Sequence, residues 1–148
     1  MERRLAEGRP PIPAEMLWTA GDPRPGTAAR TILVVEDEWL VRDLIAREIE
    51  EAGYLVLESE TAEQGLRLFE DNPVSLLFTD IRLPGAMSGW ELAESVRRIR
   101  PTVPVIYATG YSAEQPRVVP GGIFLRKPYL TSQVIGHIGR LLDPDARE

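Results

Sequence analysis

The chain has 148 residues, a formal net charge of -6, no cysteine and a single histidine, His137. That length allows one domain with a real core. The composition excludes a disulfide framework, a thiolate zinc site and a cysteine nucleophile, and the single histidine nearly excludes a Ser-His-Asp triad or a His-rich metal site.

Residues 1–30 hold five arginines against Glu2, Glu7, Glu15 and Asp22, so the acidic excess lies in the rest of the chain. An acidic globular part argues against nonspecific binding to nucleic acid or anionic membranes. No apolar run reaches the roughly 20 residues of a membrane span, and the N-terminus lacks an apolar signal core. The expected location is therefore cytoplasmic.

Pro10, Pro11, Pro13, Pro23 and Pro25, with Gly8, Gly21 and Gly26, prevent continuous helix or strand at the start. Residues 1–30 are expected to be a disordered extension with one apolar cluster, Met16-Leu17-Trp18; Met16 is also an alternative start. Residues 31–148 are expected to form the folded domain.

From Thr31 the pattern changes. Ile32–Val35 is a short β-branched run of the kind buried on both faces of a parallel sheet. Leu40, Leu44, Ile45 and Ile49 follow at helical spacing, and Gly53 closes that helix. Tyr54–Leu57 predicts a second strand. Thr61 caps a helix carrying Leu66, Leu68 and Phe69. Val74–Thr79 predicts a third strand running into Asp80. After a Pro-Gly loop, the spacing predicts a helix over Trp90–Ile99 with Leu92, Val96 and Ile99 inward. Val103–Ala108 and Ile123–Leu125 predict two more strands. Leu130, Val134, Ile138 and Leu141 mark a last helix. Between the last two strands, Pro116 and Pro120 leave room for one or two helical turns in Ser112–Gly122.

A β-α alternation repeated five times implies a parallel sheet with helices on both faces. Ligands of such sheets bind beyond the carboxyl ends of the strands. Those ends carry Glu36-Asp37-Glu38, Asp80, Ala108-Thr109-Gly110 and Arg126-Lys127-Pro128. Carboxylates that converge repel one another unless a hard cation sits among them. Magnesium suits such a set, because it takes oxygen ligands and keeps several waters. A carboxylate is also a nucleophile toward phosphorus. A cation, a hydroxyl and a lysine would neutralise the acyl phosphate formed.

The segments Ile-Leu-Val-Val-Glu-Asp-Glu (32–38), Leu-Phe-Thr-Asp-Ile-Arg-Leu-Pro (77–84), Gly-Trp-Glu-Leu (89–92), Tyr-Ala-Thr-Gly (107–110) and Leu-Arg-Lys-Pro-Tyr (125–129) together resemble the receiver domains of bacterial two-component response regulators. The resemblance covers residues 31–142. It implies an α/β, doubly wound, flavodoxin-like (βα)5 fold with five parallel strands in the order 2-1-3-4-5. By the same resemblance Asp80 is the phosphoryl acceptor. Asp37 binds Mg2+ directly, Glu36 helps directly or through water, and the Arg82 backbone carbonyl adds a ligand. Thr109 hydrogen-bonds a phosphoryl oxygen, Lys127 pairs with it, Phe124 occupies the place of an aromatic switch, and the Lys127-Pro128 bond is cis.

Two departures stand out. The loop after Asp80 is one residue longer than the usual spacing. The stretch 104–111 resembles a subgroup named for a Phe-Ala-Thr-Gly signature, often stand-alone receivers, with Tyr107 in place of the phenylalanine. Tyr111 and Arg82 flank the site, as rim residues or as gates for water.

The resemblance thus implies a stand-alone signalling module rather than an enzyme, one that catalyses only its own phosphorylation and dephosphorylation. Its partners would be a histidine kinase or phosphotransfer protein and an unknown downstream protein, with no nucleic acid and no membrane. The alternatives are a metal-dependent phosphatase with an aspartyl nucleophile and a non-phosphorylated pseudo-receiver that only binds. Such phosphatases usually carry a second aspartate two residues after the nucleophile, where this chain has Arg82.

Overall fold

A computed structural model describes residues 30–110 and 117–143. The extension before Arg30, Tyr111 and the first half of the Ser112–Gly122 segment lie outside those residues.

Five strands form one parallel sheet: β1 (Thr31–Val35), β2 (Leu55–Ser59), β3 (Leu76–Asp80), β4 (Val105–Thr109) and β5 (Ile123–Arg126). Their order is β2-β1-β3-β4-β5, as the resemblance implies. The four helices among the described residues are α1 (Trp39–Glu51), α2 (Ala62–Asp71), α3 (Gly89–Ile99) and α4 (Thr131–Leu142). Every residue of β1, β3 and β4 is buried, which explains why these strands read as continuous apolar runs rather than alternating ones. The side chains divide by strand alternation into two cores. Leu33, Val35, Leu77, Val105 and Tyr107 pack under α2 and α3. Ile32, Val34, Leu76, Phe78 and Ile106 pack under α1 and α4.

Local signals account for most element ends. Thr61 caps α2 by accepting from the Gln64 amide at 3.1 Å. Ser88 and Glu91 form a reciprocal capping box on α3. Gly53 follows α1 at φ +106°, a conformation that favours glycine. Arg30 is already part of the fold: its carbonyl accepts from Leu55 N–H at 2.9 Å, and its Nη1 donates to the Leu142 carbonyl at 3.0 Å.

The expected inward faces need correction at four leucine or isoleucine positions. Leu40 and Leu44 are 63% and 56% exposed, whereas α1 buries Ile45, Ala46 and Ile49. At 3.6 residues per turn, Leu40 and Leu44 lie on the side of the helix opposite Ile49. Ile99 closes α3 and is exposed, so only Leu92 and Val96 of the expected stripe are buried. Leu130 precedes the first turn of α4 and is exposed, while Val134 and Ile138 are buried. Residues 117–122, the described part of the segment expected to hold a short helix, carry only a turn at Pro120 and Gly121. There Val119 N–H donates to the Tyr107 hydroxyl at 3.1 Å. No helix among the described residues is long and apolar enough to cross a membrane.

Candidate functional site

The carboxyl ends of β1, β3, β4 and β5 bring the polar residues to one edge. Asp80 ends the central strand β3 and is 7% exposed; Glu36 follows β1 and is 3% exposed. Glu36 and Asp80 carry carboxylate oxygens that lie, with one from exposed Asp37, within 4.8 Å of each other. Lys127, one residue past β5, spans two of these groups: its Nζ stands 3.1 Å from Glu36 Oε1 and 3.1 Å from Asp80 Oδ2. Lys127 N–H donates to the Thr109 carbonyl at 2.9 Å, which fixes the lysine's backbone against the end of β4. The Lys127-Pro128 peptide is cis.

The Asp80 and Glu36 carboxylates are oriented by backbone as well. Asp80 Oδ1 accepts from Ile81 N–H at 2.6 Å. Glu36 Oε2 accepts from Glu38 N–H at 3.0 Å, and the Glu36 amide still joins the sheet through the Ser59 carbonyl at 3.0 Å. Burial pushes the Glu36 carboxyl up to about 7; the Glu38 amide works against this, the Asp80 charge adds to it, and Lys127 opposes it. Burial alone would lower the Lys127 ammonium, but the Asp80 and Glu36 carboxylates raise it on balance. The group as a whole is therefore short of positive charge.

The other expected residues take up these places. Thr109 ends β4 and is buried. Arg82, with Asp37, lines a recess of about 690 Å³ that also includes the loop Leu83–Ser88. Phe124 on β5 is half-buried and stacks on Trp90 with ring centroids 6.0 Å apart and planes 4° apart. Trp90 also meets the Tyr107 ring at 5.0 Å, so α3, β4 and β5 are joined by aromatic contacts. His137 is half-buried, and its Nδ1 meets Arg140 Nη2 at 2.8 Å.

Three residues that shape the site gave no signal in sequence. Arg42 on α1 donates from Nη1 to the Glu36 carbonyl at 2.8 Å and from Nε to Glu58 at 3.1 Å. Glu63 on α2 accepts from Ala86 N–H at 3.0 Å and Met87 N–H at 3.1 Å, holding the loop after Asp80 at its Gly85 turn, where φ is +97°. In each case the meaning comes from a partner far along the chain. A lone arginine or glutamate on a helix reads as a solvated charge.

Gly89 shows how closely this edge is packed. Its N–H donates to the Ile81 carbonyl at 2.8 Å, and a Cβ there would collide with the Asp80 carbonyl oxygen.

Comparison with known proteins identifies the family and agrees with the fold. Residues 32–121 match the family model of the response regulator receiver domain. The phosphate regulon transcriptional regulatory protein PhoB of Pseudomonas aeruginosa is 33% identical over an alignment of 119 residues, the match covering 76% of this chain and 52% of that protein. The chain thus spans about half the length of the first curated relatives it matches. A response regulator receiver protein from Sinorhizobium medicae is 31% identical with a TM-score of 0.74, the match covering 81% of this chain and 98% of that one. The response regulator TrrA of Thermotoga maritima, solved in complex with Mg2+-BeF, is 29% identical with a TM-score of 0.69, over 76% of this chain and 99% of that one. With its five-stranded sheet and its acidic edge, the chain belongs to the response regulator receiver domains of two-component systems.

Proposed function

We propose that Asp80 accepts a phosphoryl group beside a Mg2+ ion, and that this is the signal the chain carries. The observation that carries the reading is the group at the end of the central strand, where Lys127 Nζ bridges Glu36 and Asp80 and Asp37 completes a set of three carboxylates.

The donor set fits magnesium. It consists of hard carboxylate oxygens, crowded enough that burial and the Asp80 charge push Glu36 up to about 7. Glu36, Asp37, Asp80 and the Arg82 backbone carbonyl would hold the ion. Once bound, it supplies positive charge to the nucleophile and to the phosphoryl oxygens.

The chain's own residues do the rest. The Ile81 amide fixes one oxygen of Asp80 and so aims the carboxylate. An Asp80 oxygen attacks phosphorus, and the bond from phosphorus to the donor's nitrogen breaks; the imidazole leaves with the electron pair and takes up a proton. Lys127 and the Thr109 hydroxyl then pair with the phosphoryl oxygens. Lys127 starts close to both Asp80 and Glu36, so it exchanges part of this contact for the new anion. Phe124, stacked on Trp90, is the proposed responding residue. The donor is proposed to be a phosphohistidine on a histidine kinase or phosphotransfer protein, with an unknown downstream protein reading the result.

The test is an intact mass spectrum after incubation with a small phosphodonor and Mg2+. One phosphoryl group is expected, alkali-labile and sensitive to hydroxylamine. It should be lost with chelator and in Asp80→Asn. Continuous donor turnover with no standing adduct would favour the phosphatase reading, and neither adduct nor turnover the pseudo-receiver.

A further inference from the structure

We propose that Arg42, clamped by Glu58, is a positioning residue of the acidic site: it fixes the main chain at Glu36 so that the Glu36 and Asp37 carboxylates meet Asp80. The inference rests on the Mg2+ and phosphoryl reading given above.

Glu36 is the last residue of its segment still held by the sheet. Its N–H donates to the Ser59 carbonyl at 3.0 Å. The next regular bond is the first of α1, from Arg42 N–H to the Glu38 carbonyl at 2.9 Å. The Glu36–Asp37 peptide falls between strand and helix, and its carbonyl has left the ladder. That carbonyl accepts from Arg42 Nη1 at 2.8 Å. The same guanidinium gives its Nε to Glu58 Oε1 at 3.1 Å. Glu58 lies on β2 directly opposite Val34. One planar side chain therefore ties α1, β2 and the end of β1 together, and what it grips is the peptide from which both Glu36 and Asp37 project.

A guanidinium is suited to this. Its N–H groups point in fixed directions, so two acceptors on different elements fix its plane. The side chains of Arg42 and Glu58 are only 17% and 12% exposed, which limits competition from water. The plain alternative is that the pair is a buried ion pair that stabilises the fold and has no bearing on the site. It differs in one consequence. A purely structural pair leaves the carboxylate geometry unchanged in any variant that still folds, whereas a positioning pair does not.

Amide spectra of the full chain across a MgCl2 series supply two readouts. One is Mg2+ affinity. The other is the Glu38 amide resonance without metal, which reports its bond to Glu36 Oε2. Arg42→Met is expected to weaken Mg2+ binding about 10- to 100-fold, the range seen when groups that orient metal ligands are removed, and to shift the Glu38 amide resonance. Glu58→Gln, which keeps volume and an acceptor, should change both in the same sense and by less. Arg47→Met breaks an exposed ion pair with Asp43 on the same helix and should leave both unchanged. Affinity within about twofold of the parent in Arg42→Met, an unmoved Glu38 amide, or an equal loss in Arg47→Met would each overturn the role. If Arg42→Met does not fold, Glu58→Gln decides: parent-like values in both readouts overturn the role. A parent chain that binds no Mg2+ overturns the site reading itself, whereas a parent that binds alongside an equally competent Arg42→Met overturns only the part given to Arg42.

Discussion

Glu36 sets the pH response of the metal-free protein. Burial first, then the Asp80 charge, raises its carboxyl from 4.5 to about 7, against the Glu38 amide and Lys127. Between those values the folded chain keeps a proton that the unfolded chain has lost. Stability is therefore highest below the window and falls as pH rises through it, by on the order of 2–3 kcal/mol. Thermal melts in chelator from pH 4.5 to 7.5 should show the fall, and Glu36→Gln should flatten it. A parent and a variant with parallel profiles would mean that Glu36 ionises freely. The residues of this cluster were legible in the sequence because each lies at or just past the end of a largely apolar strand, and parallel strands must end on a common edge. Arg42, Glu58 and Glu63 were not legible. Their partners lie 6 to 24 residues away along the chain, and nothing local marks them.

At the scale of elements, the loop after β3 depends on α2. Glu63 serves the amides of Ala86 and Met87, and its carboxylate also lies beside Gly85 at its positive φ. Glu63→Ala leaves those amides to water. The expected cost is about 1–2 kcal/mol, with faster amide exchange confined to Gly85–Met87. Exchange unchanged there would show that the loop holds itself. The strands were read from sequence to within one or two residues because burial on both faces leaves a continuous apolar signature. The helix faces were read less well. Leu40, Leu44, Ile99 and Leu130 were counted inward because they are large and apolar, but Ala46 fills the buried side of α1 and gives a weak signal for its size.

For the molecule as a whole, we propose that the domain begins at Arg30 and that residues before Ala28 are dispensable. Arg30 carries the Leu55 and Leu142 contacts, and the entire acidic cluster lies after it. A chain starting at Ala28 should melt within a few degrees of the parent and bind Mg2+ equally. In both, saturating Mg2+ should raise the Tm, because the ion binds only the folded state. Loss of folding on truncation would place part of the core upstream. The overall topology was the most legible feature. An alternation of buried strands with amphipathic helices admits few right-handed parallel arrangements, and the receiver motifs select the order 2-1-3-4-5.

The bond from Arg30 to the Leu142 carbonyl, with its second contact to Asp143 at 3.4 Å, has a practical consequence for engineering. The strands are parallel, so the start of β1 and the end of α4 meet at the pole of the sheet remote from the carboxylates. Cargo attached at either position projects away from the acidic edge and from any protein docked there. A short linker from Asp143 to Arg30 would also close the polypeptide into a ring. New termini could then be opened beside the acidic edge, and the domain inserted into a reporter whose two halves would feel the response proposed for Phe124.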